Sequence, residues 1–131
     1  MTIRYQTTTQ PLTEVSRIED VPSKATIVWY DFEDATEKEN EFLRNHFDFN
    51  YLEIDDAING IPRAKYKAYE DYQYIVFHSI LTHDYAAIAL NVFLQGNTLV
   101  TYHHKRFESL KKVVQDNQKH HVSDLDCADI V

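Results

Sequence analysis

Apolar and polar positions divide the first part of the chain into short extended runs. Residues 2–9 and 14–18 contain threonines and other residues that favour strands, and a Gln-Pro pair at residues 10–11 separates the two runs. Residues 25–32 are mostly β-branched and aromatic, which predicts a strand of mixed burial. We therefore expect the chain to begin with three strands.

A helical pattern follows the third predicted strand. Thr36 and Glu39 have the spacing of a capping box, in which each side chain bonds the backbone of the other residue. The helix that they open runs to about residue 46, and Phe42, Leu43 and Phe47 form its buried stripe.

A second helix is predicted to be only about two turns long. Asn50 can cap its amino end, and Glu53 has the spacing to bond the backbone of the cap in return. Asn59 and Gly60 supply a left-handed stop, and Pro62 prevents continuation. The apolar face of this helix is predicted to contain Tyr51, Ile54, Ala57 and Ile58.

The second half of the chain is richer in strands. Residues 64–69 alternate lysine with tyrosine or alanine, as a half-exposed strand does, and residues 74–81 are almost continuously apolar, which predicts a central strand covered on both faces. Residues 87–94 and 98–103 flank a Gly-Asn turn and are predicted to form a hairpin.

The carboxyl-terminal part is predicted to be helical. One helix contains Phe107, Leu110, Lys111 and Val114, and a second begins near Ser123. The whole pattern predicts an α/β or α+β domain whose mixed, mainly antiparallel central sheet is sandwiched between helices. We expect residues 1–131 to form a single domain whose last helix is truncated.

Composition and charge narrow the function classes. The 131 residues are 44% hydrophobic, which is typical of a globular domain, and the net charge of −8 repels nucleic acid and anionic lipid while favouring cations. Cys127 is the only cysteine, so an internal disulfide is impossible. There is neither a secretory signal nor an apolar run of about 20 residues, so this stretch of chain is expected to be soluble.

An acidic pair lies near the carboxyl end of the second predicted helix. That end of a helix already carries partial negative charge, so Asp55 and Asp56 are unfavourable there unless a cation neutralises them. Mg²⁺ prefers hard oxygen ligands and usually needs only one or two carboxylates. Asp55 and Asp56 are therefore the candidate metal ligands. The competing interpretation is that both are solvated surface acids.

The neighbouring charged residues favour simpler roles. Glu70 and Asp71 precede a predicted strand and are interpreted as solvating a turn, with a metal role as the less favoured alternative. Arg63 and Lys65 are interpreted as surface or inter-subunit ion-pair residues.

Seven histidines suggest zinc, but their spacing does not. His103 and His104 are adjacent, as are His120 and His121, and neighbouring side chains on a strand or helix point in different directions. Neither a His-x-x-x-His nor a Cys-x-x-Cys motif occurs, which argues against a structural zinc site.

The sequence offers little for catalysis. Two glycines cannot build a phosphate-binding loop, and no nucleophile elbow is present. His78 is interpreted as a hydrogen-bonded core residue, and Cys127 as an inert thiol. We predict that the chain is not an enzyme.

A family resemblance appears around the acidic pair. Asp55 and Asp56, followed by Arg63, Lys65 and the Tyr-Glu-Asp-Tyr run at residues 69–72, resemble the cytosolic domain of CorA-type magnesium and cobalt transporters. The chain departs from the family pattern at Ala64, where the family usually has proline, and at residues 50–51, where Asn-Tyr replaces His-Pro.

The resemblance extends over residues 25–131. Residues 27–31 resemble the family's tryptophan-containing strand, and residues 99–103 resemble its strand ending in Thr-x-His/Gln. The family's pore signature, Gly-Met-Asn, does not occur, because Met1 is the only methionine. The chain is thus expected to be an amino-terminal fragment that lacks the stalk and the membrane helices.

The resemblance implies a regulatory role and no organic cofactor. In the family, the aspartate matching Asp56 faces an acidic residue on a neighbouring subunit's stalk helix, and bound Mg²⁺, or alternatively Co²⁺, holds the closed state of the channel. Asp55 matches a neighbouring acidic position. The full-length protein is expected to be a homopentamer in the cell membrane, with this domain on the cytoplasmic side.

Two alternatives remain open. A zinc-transporting relative of the same family would look similar in this region, and a stand-alone soluble cation-binding or scaffold domain would need no pore. A continuation beyond Val131 with two membrane helices would distinguish a transporter from the stand-alone domain.

Overall fold

The computed structural model describes residues 1–60, 64–80 and 87–104. The helices predicted near residues 107–114 and after Ser123 lie outside the described residues, as do Arg63, Cys127 and the pair at residues 120–121. Within the described residues, no helix is long and apolar enough to cross a bilayer.

The described chain forms one sheet and two α-helices. The strands are β1 (Thr2–Gln6), β2 (Thr13–Val15), β3 (Ile27–Glu33), β4 (Lys65–Ala68), β5 (Gln73–Ile80), β6 (Ala87–Gln95) and β7 (Thr98–His103). The helices are α1 (Glu37–His46) and α2 (Tyr51–Asn59), and a short 3₁₀ turn covers Ile18–Asp20.

The sheet is mixed and mainly antiparallel, as the sequence predicts. Its seven described strands have the order β2-β1-β3-β7-β6-β5-β4. β3 and β7 pair in parallel, with Trp29 opposite Leu99, and the other five described pairs are antiparallel. The predicted hairpin is confirmed, because Gln95 pairs with Thr98 across Gly96 and Asn97.

Both helices pack on one face of the sheet. Leu43 of α1 and Ile54 and Ala57 of α2 belong to the same buried cluster as strand residues of that face. The strand residues in this cluster are Ile3, Tyr30, Phe32, Tyr74, Val76, Ala89, Phe93, Val100 and Tyr102. Burial of these large apolar side chains is the main force that holds the helices against the sheet.

The opposite face of the sheet is also buried. A second cluster there contains Leu12, Ile27, Trp29, Leu90, Val92 and Leu99. Trp29 and Leu99 are fully buried, and the Trp29 indole N–H donates to Thr101 Oγ1 over 2.9 Å. The sheet is therefore central, with an apolar layer on each side.

The local helix signals are largely confirmed. Thr36 Oγ1 accepts from the Glu39 N–H, and Glu39 accepts from the Thr36 N–H, which is the predicted capping box. Asn50 Oδ1 accepts from the Leu52 N–H, and Gly60 ends α2 with a φ of 66°.

The burial pattern corrects two predictions. β5 is an inner strand, as predicted, because it pairs with both β6 and β4, but it is not covered on both faces, since Phe77 is 42% exposed. Tyr51 is 71% exposed rather than buried, because Ile54 and Ala57 define the face of α2 that meets the sheet.

Candidate cation-binding site

The acidic pair lies on α2, close to its carboxyl end. Asp55 is exposed and Asp56 is partly exposed. The backbone carbonyl of Asp56 accepts the Gly60 N–H over 3.0 Å, so Asp56 belongs to the last turn of the helix. Both carboxylates are accessible to a dissolved ion, and no basic residue lies in this last turn.

A lysine from the neighbouring strand approaches one of the two carboxylates. Lys65 Nζ on β4 lies 3.6 Å from Asp56 Oδ2 and 5.8 Å from the centroid of the Tyr74 ring. The prediction that Lys65 makes an ion pair is confirmed. The protein itself thus supplies part of the positive charge that the end of α2 needs.

The buried Tyr74 ring lies next to the Lys65–Asp56 ion pair. Burial raises the pKa of the Tyr74 phenol, and the negative charges of Asp56 and Glu53 raise it further. The phenol therefore stays protonated, and its hydroxyl donates to Asn91 Oδ1 over 2.7 Å. Tyr74 and Asn91 are both buried, so this hydrogen bond is shielded from solvent.

The amino end of α2 is fixed by a buried carboxylate. Glu53 is 2% exposed and accepts hydrogen bonds from the hydroxyls of Tyr69, over 2.8 Å, and Tyr72, over 2.6 Å. The Tyr72 hydroxyl also accepts the Asn50 N–H over 2.8 Å. One phenol thus connects the cap of the helix to its first turn.

This arrangement corrects the prediction that Glu53 bonds the cap backbone. Tyr72 takes that backbone N–H, since a hydroxyl donates to a carboxylate and accepts from an amide at the same time. Burial and the hydrogen bond to Glu53 raise the pKa of Tyr72. The i, i+4 spacing of Glu53 and Ala57 was the sequence signal that Glu53 faces the sheet.

The donor chemistry of the acidic pair fits a hydrated Mg²⁺ ion. Two adjacent carboxylates supply hard oxygen atoms, and Mg²⁺ usually keeps several waters and takes only one or two protein carboxylates. In the ranges 1–60, 64–80 and 87–104, no group of three or more His, Cys, Asp or Glu side chains is placed to hold a metal ion. Asp55 and Asp56 remain predicted ligands.

The adjacent acidic residues Glu70 and Asp71 are not on α2. Glu70 and Asp71 are exposed in the turn between β4 and β5, where the Tyr69 N–H donates to the Tyr72 carbonyl over 2.8 Å.

A second polar cluster lies at the paired ends of β3 and β7. His103 Nε2 donates to Asp31 Oδ1 over 2.8 Å, and Thr101 Oγ1 donates to the same oxygen over 2.6 Å. His103 is 2% exposed, and His104, next to it, is exposed. The adjacent histidines thus have separate environments, as predicted. The alternation that places Trp29 and Asp31 on one face of β3, and Leu99, Thr101 and His103 on one face of β7, was the available signal for this cluster.

Burial and hydrogen bonding oppose each other at Asp31. Burial raises the pKa of the Asp31 carboxyl, but hydrogen bonds from His103 and Thr101, and the charges of His103 and Arg4, outweigh it and hold that pKa below its ordinary value. Arg4 also lies over the Trp29 ring, 5.0 Å from its centroid. The cluster ties β1, β3 and β7 together.

Comparison with known proteins finds sequence similarity to transporters. A family described as "CorA-like Mg2+ transporter protein" matches residues 24–131. The chain is 28% identical over 107 residues to "Putative metal ion transporter YfjQ" of Bacillus subtilis (strain 168), and the match covers 77% of this chain and 34% of that protein. The chain thus spans about a third of the length of this curated relative.

Solved structures share the fold. The CorA magnesium transporter from Methanocaldococcus jannaschii superposes with a TM-score of 0.73 at 14% identity, over 95% of this chain and 39% of that one. The ZntB cytoplasmic domain from Vibrio parahaemolyticus RIMD 2210633 gives a TM-score of 0.68 at 13% identity, over 91% of this chain and 50% of that one.

Proposed function

Because the chain belongs to the CorA-like Mg²⁺ transporter family, we propose that it forms the cytoplasmic, cation-sensing domain of a metal ion transporter. The observation that carries this proposal is the family match over residues 24–131. The fold shared with the CorA magnesium transporter from Methanocaldococcus jannaschii supports it. In this role the domain carries out no catalysis, and the transported metal ion is the substrate of the whole protein.

Within that role, Asp56 is the principal ligand of a regulatory Mg²⁺ ion, and Asp55 assists it. Asp55 is exposed and Asp56 partly exposed at the carboxyl end of α2, and the net charge of −8 attracts cations to the domain. Co²⁺ is the second candidate ion. No organic cofactor is involved.

The domain acts as part of a larger assembly. We propose that it belongs to a homopentamer on the cytoplasmic side of the cell membrane, with the pore formed by a part of the protein outside this chain. The limited share of the relatives' length that the chain spans supports this proposal. A cation held between subunits favours the closed arrangement, and its loss shifts the population towards open states.

A change at Asp56 tests the sensing role. In the full-length protein, Asp56→Ala is expected to weaken the protection from proteolysis that Mg²⁺ gives, so that several-fold more Mg²⁺ is needed for half-maximal protection. Glu41→Ala is the matched control, because Glu41 is an exposed acid on α1 and its removal changes the net charge equally. Unchanged protection in Asp56→Ala would remove Asp56 from the sensor.

A zinc-transporting relative of the same family is the second candidate, since this region would look similar in such a protein. Uptake of Zn²⁺ but not Mg²⁺ by the full-length protein in vesicles would favour it. A stand-alone cation-binding or scaffold domain is the remaining alternative. A reading frame that ends without two apolar segments of about 20 residues would favour that alternative.

A further inference from the structure

We propose that Lys65 is a built-in competitor for the divalent cation: its ammonium group occupies the Asp56 carboxylate until the cation displaces it. This inference rests on the proposed function, because it requires Asp56 to bind a cation. The inference adds that Lys65 sets the cation concentration at which the Asp56 site is half occupied.

The geometry of the ion pair makes exchange possible. Lys65 Nζ and Asp56 Oδ2 are 3.6 Å apart, and the two side chains are 36% and 32% exposed. An ion pair with this much solvent contact is weak, and it shifts an equilibrium by about fivefold at most. A dissolved cation therefore reaches the carboxylate and replaces the lysine without opening the core.

The Tyr74 ring can stabilise the Lys65 ammonium group when that group leaves Asp56. Its ammonium group already lies 5.8 Å from the centroid of the Tyr74 ring, within the range of a cation–π interaction. The lysine stem is flexible, so a small rotation moves Nζ away from Asp56 and keeps it near the ring face. The displaced charge remains partly stabilised.

The charges at the end of α2 favour a divalent ion over the ammonium group. Lys65 brings one positive charge to a helix end that carries Asp55, Asp56 and the partial negative charge of the last carbonyl groups. A divalent ion brings twice that charge to the Asp56 carboxylate and is also attracted by the nearby charge of Asp55. Lys65 thus raises the cation concentration needed for binding but does not prevent binding.

The exchange leaves the position of α2 unchanged. Glu53 is buried and bonded to Tyr69 and Tyr72, so the amino end of the helix stays attached to the β4–β5 turn. Only the exposed link between Asp56 and Lys65 breaks. Cation binding is therefore expected to change the surroundings of β4 next to Lys65.

A magnesium titration of three lysine variants tests this inference. MgCl₂ is added to the ¹⁵N-labelled 131-residue chain at constant ionic strength, and the amide signals of Asp56 and Gly60 are followed by NMR. Lys65→Gln is expected to lower the apparent Kd for Mg²⁺ by about threefold to fivefold, because the competing ammonium group next to the ion is removed. Lys65→Arg is expected to remain within twofold of wild type.

Lys67→Gln is the matched control. Lys67 lies on the same strand and its removal changes the net charge equally, but its Nζ lies 5.4 Å from the Tyr69 ring centroid. Its apparent Kd is expected to change less than twofold. If Lys65→Gln and Lys67→Gln changed the apparent Kd equally, the change in net charge alone would explain both effects, and the inference would be overturned.

The outcomes separate the inference from the proposed function. Saturable binding in wild type with an unchanged Kd in Lys65→Gln overturns the inference alone. An absence of saturable shifts in wild type and in Lys65→Gln overturns the inference, whereas the cation-sensing role of Asp56 is overturned by unchanged proteolytic protection in the full-length Asp56→Ala variant. In an Asp56→Asn background, Lys65→Gln is expected to have no effect on the remaining weak shifts.

Discussion

Tyr72 links three parts of the molecule through a single hydroxyl oxygen. The Tyr72 hydroxyl donates to the buried Glu53 carboxylate over 2.6 Å and accepts the Asn50 N–H over 2.8 Å. The centroid of the Tyr72 ring lies 4.9 Å from that of Phe49. A buried carboxylate that loses a donor pays a large desolvation cost. The stability of α2 on the sheet should therefore depend on this phenol more than on any exposed residue of the helix.

Removing that hydroxyl should destabilise the domain. Tyr72→Phe keeps the ring but leaves Glu53 with one phenol donor fewer and the Asn50 N–H without its acceptor. We expect the free energy of unfolding to fall by about 1–3 kcal/mol, measured by urea denaturation. Tyr66→Phe is the control, because Tyr66 is 63% exposed, and it should change the stability little. Equal losses in the two variants would contradict the role of the Tyr72 hydroxyl.

The Asp31 cluster should make stability depend on acid pH. The pKa of Asp31 is lower in the folded protein than its ordinary value of 3.8, so the folded state favours the ionised carboxylate. This contribution is fully present above the ordinary pKa and is lost as the pH falls through the lower, folded-state pKa. The wild-type protein should therefore lose stability on acidification below about pH 4.

Asp31→Asn isolates this contribution. At pH 6 the variant is expected to be less stable than wild type by about 1–3 kcal/mol, because the charged acceptor for His103 and Thr101 is gone. The difference between the two proteins should narrow as the pH falls towards 3, measured by urea midpoints at each pH. A difference that stays constant across this range would show that ionisation of Asp31 contributes nothing.

At the scale of elements, the end of α2 depends on a close approach to β7. Gly60 has a φ of 66°, and a Cβ atom placed there would lie 2.7 Å from Cδ2 of His104. Gly96 in the β6–β7 turn has a similar φ of 58°, but a Cβ atom there would meet open space. The two glycines thus share a backbone conformation and differ in their surroundings.

This pair separates backbone strain from steric contact. Gly96→Ala should cost about 1–2 kcal/mol, the cost of placing an L-residue in the left-handed conformation. Gly60→Ala should cost more, because the methyl group also displaces the His104 ring. In a His104→Ala background the cost of Gly60→Ala is expected to fall to that of Gly96→Ala, measured by thermal or urea unfolding. Equal costs for the two single variants would argue that His104 moves aside freely.

The elements that the sequence predicts best are those with local signals. The capping box at Thr36, the stop at Gly60 and the turn at Gly96 depend on residues a few positions apart, and all three occur as predicted. The burial of Glu53 and the exposure of Phe77 depend on which elements become neighbours in space. The partners of Glu53 are 16 and 19 residues away, so no local pattern specifies them.

The candidate site shows the same division between local and distant information. Asp55 and Asp56 stand out in the sequence because their position conflicts with the helix dipole. The approach of Lys65 to Asp56 depends on the packing of α2 beside the edge strand β4. The acidic pair is therefore visible in the sequence, whereas the contact between Lys65 and Asp56 is visible only in the fold.

For the whole molecule, the parallel pairing of β3 with β7 has a consequence for synthesis. The β2-β1-β3 part of the sheet is encoded in the first 33 residues, but β7 begins at Thr98. While the ribosome adds residues 34–97, the nascent chain exposes the unpaired edge of β3, which is the kind of edge that invites wrong partners. Because β3 and β7 are so far apart along the chain, the sheet can close only late, and folding should be slow compared with that of a helical domain of equal length.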